Sequence, residues 1–309
     1  MGGRATDSTW QWALDHGLRL GCVGSTDDHL GYPGAWGEGL AAVLAEELTR
    51  EAILAAIRAR RCYAVSGDRI EIDFALNGAP MGSELPATDV REIAVSVRGW
   101  DEISMVELVR KGEPIARAFG RQRPPLDPWP GRMRCRVRYG WGPWATLAMP
   151  RTCDWRLRLS LSGGSIRHVV PAWQAGPYEE RRRDRVLARG ERSCEWQSFT
   201  ARAQAFAEDP TKAMLFEFDG PASAVVRLEV IEPAPRLIER TLGELARNSA
   251  AEFTGPFTSE NVQIERLVAP ASYEASLEVT DERTGADWYY VRVTQANGQM
   301  AWSSPIWVG

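Results

Sequence analysis

The sequence predicts an α+β protein: a short α/β stretch over residues 1–69, then a mainly antiparallel, β-sandwich-like module over residues 70–309. Residues 1 to about 68 read as helix, strand, glycine-rich loop and helix, which is one and a half units of an α/β repeat. From Ile70 the period changes to two, with Ile70, Ile72, Phe74 and Leu76 alternating with Glu71, Asp73 and Ala75 before an Asn77-Gly78 turn signal. Short segments of similar character recur to the C-terminus, the pattern of a sandwich or related all-β module.

In chain order, Asp7 or Ser8 is an expected cap for a helix through Trp10, Ala13 and Leu14, which His16-Gly17 closes. Leu18 to Val23 is a short, mostly apolar run bounded by glycine, expected as a buried parallel strand. Gly24 to Gly39 is rich in glycine and should be an irregular loop leaving that strand. Thr49 is an expected N-cap for a helix with Ile53, Ala56, Ile57 and Arg60 at helical spacing. Further strands are expected at Ile93–Arg98, Met105–Arg110, Trp155–Leu161, Val225–Ile231, Ser276–Val279, Trp288–Thr294 and Met300–Val308. Gly120 to Gly142, dense in proline, glycine, arginine and tryptophan, is expected as a long ordered loop, and Pro235 to Asn248 as one helix. No repeat of fixed period is visible.

The net charge of −4, with acids and bases mixed, provides no long-range field for nucleic acid or an anionic membrane, so neither is an expected partner. No apolar run approaches the roughly 18–20 residues that cross a bilayer, and Met1 is not followed by a signal-peptide pattern. A cytoplasmic location is expected, with the reservation that residue 1 is not the natural start if the chain is part of a longer protein. The five cysteines, Cys22, Cys62, Cys135, Cys153 and Cys194, are scattered and never form C-x-x-C, which fits free thiols in a reducing compartment.

Asp27 and His29 are the candidate metal ligands. Two apart in an extended segment, they leave the backbone on one side, and a carboxylate with an imidazole suits zinc, manganese or iron. Taken alone, such a triplet arises often by chance and is usually a solvated loop; its place after an expected strand, in a glycine-rich loop and behind small residues, favours the metal reading. Arg69, in Ser66-Gly67-Asp68-Arg69, is a candidate anion-binding residue, or else a structural arginine paired with a loop carboxylate. His16 reads as a helix-end residue and His168 as structural. Glu179 to Arg185 reads as a solvated, mixed-charge segment, and Trp288, Trp302 and Trp307 as core packing or an aromatic platform.

The run Leu20-Gly21-Cys22-Val23-Gly24-Ser25-Thr26-Asp27-Asp28-His29, followed by Gly31, Pro33-Gly34 and Gly37-Glu38-Gly39, resembles the closing motif of polymerase and histidinol phosphatase (PHP) superfamily hydrolases, especially a branch described as domains of unknown function. The resemblance continues through Ala45-Glu46-Glu47-Leu48-Thr49-Arg50-Glu51-Ala52-Ile53 and Arg60 to Ile70, and the end of the chain, Asp287 to Gln295 with Ala301 to Trp307, is similar as well. It implies that residues 1–69 are the C-terminal remnant of a distorted (β/α)7 barrel, with Asp27 and His29 as two ligands of a divalent-metal cluster that activates water. The implied activity is metal-dependent hydrolysis of a small-molecule ester or phosphoester. The chain departs from the family in having three histidines in all, His16, His29 and His168, so most of the expected ligands are absent. The expectation is therefore a fragment of a phosphoesterase-like hydrolase, with zinc, manganese or iron held weakly and no activity without a missing N-terminal part. The alternative is a non-catalytic β-rich binding or interaction module with a vestigial metal motif. Oligomeric state is left open.

Overall fold

The computed structural model describes residues 9–27, 34–140, 152–173, 184–201, 211–256 and 259–309. Among them are twenty-two strands and four short helices: α1 (Trp10–Asp15), α2 (Arg50–Arg58), α3 (Leu242–Leu245) and α4 (Pro270–Tyr273). The strands form four open sheets, and among the described residues the only parallel pairing joins Trp307–Val308 to Glu84–Leu85. This corrects the α+β expectation and the (β/α)7 remnant with it. A βαβ unit needs parallel strands on either side of its helix, whereas Leu40–Val43 and Cys62–Val65, which flank α2, pair antiparallel. No described helix is long and apolar enough to cross a membrane.

The chain divides into two compact units. The first gathers residues up to Asp27, Gly37–Arg123 and Ala271–Gly309; the second is Asp28–Trp36 with Pro124–Pro270. The strands on either side of residue 69, Cys62–Val65 and Glu71–Leu76, both belong to the first unit.

In the first unit an eight-stranded sheet and a four-stranded sheet share one core. The four-stranded sheet contributes Ile72, Phe74 and Leu76 with Ile93, Val95 and Val97; the larger sheet contributes Val106, Leu108, Tyr289, Val291 and Val293. Period-two alternation is the cause, since it puts every second side chain of Glu71–Leu76 and Val90–Arg98 on the dry face. The Asn77-Gly78 turn forms as expected, with φ of 48° and 78°, the left-handed pair that a two-residue hairpin requires. Six of the seven expected later strands are present, several of them longer than expected, while the expected Met300–Val308 strand is two, Met300–Ser303 and Ile306–Val308, broken at Ser304-Pro305.

The second unit packs two five-stranded sheets around Tyr139, Trp155, Trp196, Phe216 and Phe218. Here two expectations are corrected. Arg132–Gly140 is a strand within the interval expected to be loop: Met133, Cys135, Val137 and Tyr139 point into the core, while buried Arg134 pairs with Glu217 at 3.0 Å. Pro235 to Asn248 is not one helix but the strand Arg236–Thr241 followed by α3, which starts with a Thr241–Glu244 capping box. Pairing with Val225–Glu232 buries Ile238, and that tertiary gain overrides helical spacing. Of the mixed-charge run, residues 179–183 lie outside the described set; Asp184 accepts hydrogen bonds from Ser198 and Lys212, and Arg185 opens a strand.

Leu18–Val23 is also corrected. It forms no strand, and Leu18, Leu20 and Val23 are exposed. A parallel strand is stable only with neighbours that take up its backbone hydrogen bonds.

Glu107 shows how this framework handles charge. It lies opposite Arg292 on one side and Arg117 on the other, accepting from their Nε atoms at 2.7 and 2.9 Å. Burial would raise its pKa, but the two guanidinium groups outweigh burial and hold the carboxyl below the ordinary 4.5. A depressed folded-state pKa contributes stability above the unfolded value and loses it as pH falls through the folded one. We expect Glu107→Gln to cost about 2 kcal/mol at neutral pH, less than a fully buried pair because both arginines reach solvent. The gap between variant and wild type should narrow as pH falls below 4.5, which urea denaturation at neutral and acid pH measures. An equal gap at both would remove this role for Glu107.

Candidate functional site

A cleft of about 630 Å³ lies within the first unit, lined by Trp10, Gly21–Ser25, Gly37–Gly39, Ala64–Ser66 and Trp302. Its floor comes from sheet geometry. In Met300–Ser303, Ala301 and Ser303 are buried and Trp302 points the other way, directly across from Ala64 of the neighbouring strand. The small Ala64 leaves the space beside the indole open. Trp10 stands on α1, whose N-cap Thr9 accepts from the Trp12 N–H. Its ring meets Tyr290 edge-on at 5.1 Å, and Gln11 donates to the Tyr290 hydroxyl at 2.7 Å. Both cleft tryptophans pack on the edge of a small aromatic core built on Trp288, Tyr290 and Trp307. The Trp10 Nε1 is buried without a described hydrogen-bond partner.

The walls are backbone, which is why glycine recurs. A Cβ on Gly24 would lie 2.7 Å from the Leu40 carbonyl oxygen, and one on Gly39, itself at φ 113°, 2.8 Å from that of Ser25. Only bare α-carbons allow these two segments to run so close. The wall is tied down by Gly39 N–H donating to Ser66 O at 3.0 Å, and by Cys22 N–H donating to Ser304 Oγ at 2.8 Å. Ser304 in turn donates to the Cys62 carbonyl.

The lining side chains that carry polar atoms besides Trp10 and Trp302 are Cys22, Ser25, Glu38 and Ser66. Ser66 Oγ is engaged, donating to Gln299 and accepting from the Met300 N–H. Burial pushes the Cys22 thiol up to about 11, so at neutral pH it is protonated and a poor nucleophile. The arrangement is suited to holding a flat, largely apolar molecule against indole faces, with backbone groups for orientation.

Of the residues singled out in the sequence, Gly24 and Ser25 form part of this wall. Asp27 follows them, exposed, at a left-handed φ of 50°. His29 lies outside the described residues, so the convergence expected of Asp27 and His29 has no described geometry. Arg69 is exposed, forms no ion pair with a described residue and does not line the cleft. His16 behaves as a helix-end residue, its Nδ1 2.8 Å from the Trp12 carbonyl and its ring stacked on Trp12. His168 is exposed on a strand opposite Glu217. Trp288 and Trp307 are core; Trp302 alone of the three lines the cleft. Sequence reasoning missed Trp10 as a site residue, and the signal was its place one position inside a capped helix, just ahead of the glycine-rich run.

Comparison with known proteins places this region but does not name an activity. Residues 34–89 match the family described as "Protein of unknown function (DUF3604)". An uncharacterized protein of Chlamydia muridarum is 36% identical over 117 residues, covering 33% of this chain and 19% of that protein. One of Chlamydia pneumoniae is 37% identical over 120 residues, 34% and 19% of the two chains. The chain thus spans about a fifth of the length of the curated relatives it matches, by the 19% coverage. Among solved structures, BcpA, the major pilin subunit of Bacillus cereus, aligns over 79% of this chain and 66% of its own at 9% identity with a TM-score of 0.13, too low to carry a fold argument.

These findings correct the PHP resemblance and the words hydrolase, phosphoesterase and metal-binding that came with it. The matching family has no stated activity, the sheets are antiparallel, and among the described residues no three His, Cys, Asp or Glu side chains gather to hold a metal ion.

The close backbone approach yields a prediction. Gly24→Ala must displace the wall from Leu40, and should cost about 1–3 kcal/mol, the range for forcing extra volume into a packed contact. Faster amide exchange confined to residues 21–25 and 37–40 is expected. Unchanged exchange there would mean that the two walls do not touch.

Proposed function

We propose that this chain is a non-catalytic β-rich binding module and that the Trp10–Trp302 cleft holds its ligand. The observation that carries the reading is the cleft: at about 630 Å³ it falls in the range of ligand pockets, roughly 300–1,000 Å³. Its lining is dominated by two indole rings and glycine backbone, with Cys22, Ser25, Glu38 and Ser66 the other polar side chains and no histidine among the described lining residues. The protonated Cys22 and the engaged Ser66 support the same reading. The ligand class is a small molecule or chain segment with a flat apolar face, the shape that stacks on tryptophan. The module works in a reducing compartment, the cytoplasm. Five free cysteines, four of them buried, support this.

Ligand-observed NMR with a library of planar ring fragments tests it. Fragments should bind the wild-type chain, and Trp302→Ala should weaken them tenfold or more, a loss of about 1.4 kcal/mol for each factor of ten. Thermal stability should change little, because Trp302 sits on the edge of its core rather than inside it. Equal binding by the wild type and Trp302→Ala would remove the cleft from this role.

A further inference from the structure

Two buried acids of this chain face arginine: Asp287 meets Arg91 and Glu217 meets Arg134, with every one of these side chains less than a tenth exposed. A guanidinium keeps its proton, so such contacts end as ion pairs. In the second unit the buried cation is a lysine instead. Lys212 Nζ lies 2.6 Å from Asp184 Oδ2, with the two side chains 8% and 7% exposed. An amine, unlike a guanidinium, can hand a proton to the carboxylate and become a nucleophile.

Strand alternation puts Lys212 there. It shares one face of the strand Thr211–Asp219 with Met214, Phe216 and Phe218, which lie in the core between the two five-stranded sheets. Directly across from it on the neighbouring strand is buried Tyr139. Burial outweighs the attraction of Asp184 and lowers the Lys212 pKa below the ordinary 10.5, which favours the neutral amine. Asp184 comes from the other sheet, where it directly precedes the edge strand Arg185–Arg189. Its Oδ1 accepts from Ser198 Oγ at 2.7 Å and from the Phe199 N–H at 3.2 Å, while Oδ2 meets the amine. Two donors on one carboxyl oxygen stabilise the charge that develops there when a nucleophile adds, and the other oxygen is left to depart.

We propose that Lys212 and Asp184 condense to an amide, a covalent cross-link between the two sheets of the second unit. In the ion pair the Lys212 ammonium passes one proton to Oδ2. The neutral Nζ then attacks Asp184 Cγ, a second Nζ proton moves to Oδ2, the Cγ–Oδ2 bond breaks and one water leaves. Nζ keeps its last hydrogen as the amide N–H, and no oxidant or cofactor is consumed. The site favours this outcome because a neutral amide replaces two charges that are costly to bury, and because folding has already brought the reacting groups together. The five cysteines are free, so the bond ties sheets that no disulfide joins. It is independent of the cleft in the first unit.

Intact-mass spectrometry of the full chain, denatured and reduced, is the test. The wild type is expected to be lighter than its sequence mass by one water, and its proteolytic digest to contain a branched peptide joining the Asp184 segment to the Lys212 segment. Lys212→Arg keeps the charge but has no amine to acylate, and Asp184→Ala has no carboxyl; each should return to the full sequence mass. The reading is made on unfolded chains, so loss of stability in a variant does not obscure it. A wild-type chain at its full sequence mass would overturn the cross-link and leave an ion pair. A missing water that persists in both variants, or that comes with no branched peptide, would overturn its assignment to Lys212 and Asp184.

Discussion

An antiparallel sheet that is dry on one face must find a second surface to cover it, and both units are arranged around that requirement. In the first, Ile72, Phe74 and Leu76 lie in the same core as Val291 and Val293; in the second, Trp155 and Trp196 lie with Phe216 and Phe218. Each of these side chains removes enough apolar area from water to be worth about 1.5–3 kcal/mol or more. Alternation along the strands decides which residues are spent this way. The opposite faces remain free for charge, as the Glu107 ladder between Arg292 and Arg117 illustrates.

The cleft is a consequence of where this covering stops. Trp302 belongs to a strand whose buried partners Ala301 and Ser303 face inward, so its own ring must look outward. Glycines then let two irregular segments approach within backbone contact, making a wall where a regular strand would have filled the space with side chains. The same residues that give the cleft its shape leave it poor in groups that titrate near neutrality, because the Cys22 thiol is desolvated.

Much of the β architecture was legible. The strands at Glu71–Leu76, Val90–Arg98 and Asp287–Gln295 announce themselves by alternation or by β-branched and aromatic runs, and Thr49 caps α2 as its position suggests. The strand Arg132–Gly140 was hidden because its arginines mimic a solvated loop; Glu217 and Glu265 neutralise Arg134 and Arg136, and those acids are remote in sequence. Leu18–Val23 misled in the opposite direction, for an apolar run says nothing about whether a neighbouring strand exists to pair with it. Of the site, the glycine-rich run was visible, but its chemistry was assigned through resemblance to Asp27 and His29. Trp10 and Trp302 are 292 positions apart by their numbers, and only the fold brings them to one cleft.

The most direct test of the binding reading is amide chemical-shift mapping of the isotopically labelled chain with a bound ring fragment. The account predicts that the perturbed amides cluster in Gly21–Ser25, Gly37–Gly39 and Ala64–Ser66, with the indole N–H of Trp302 among them. Perturbations centred instead on the sheets of the Pro124–Pro270 unit would contradict it.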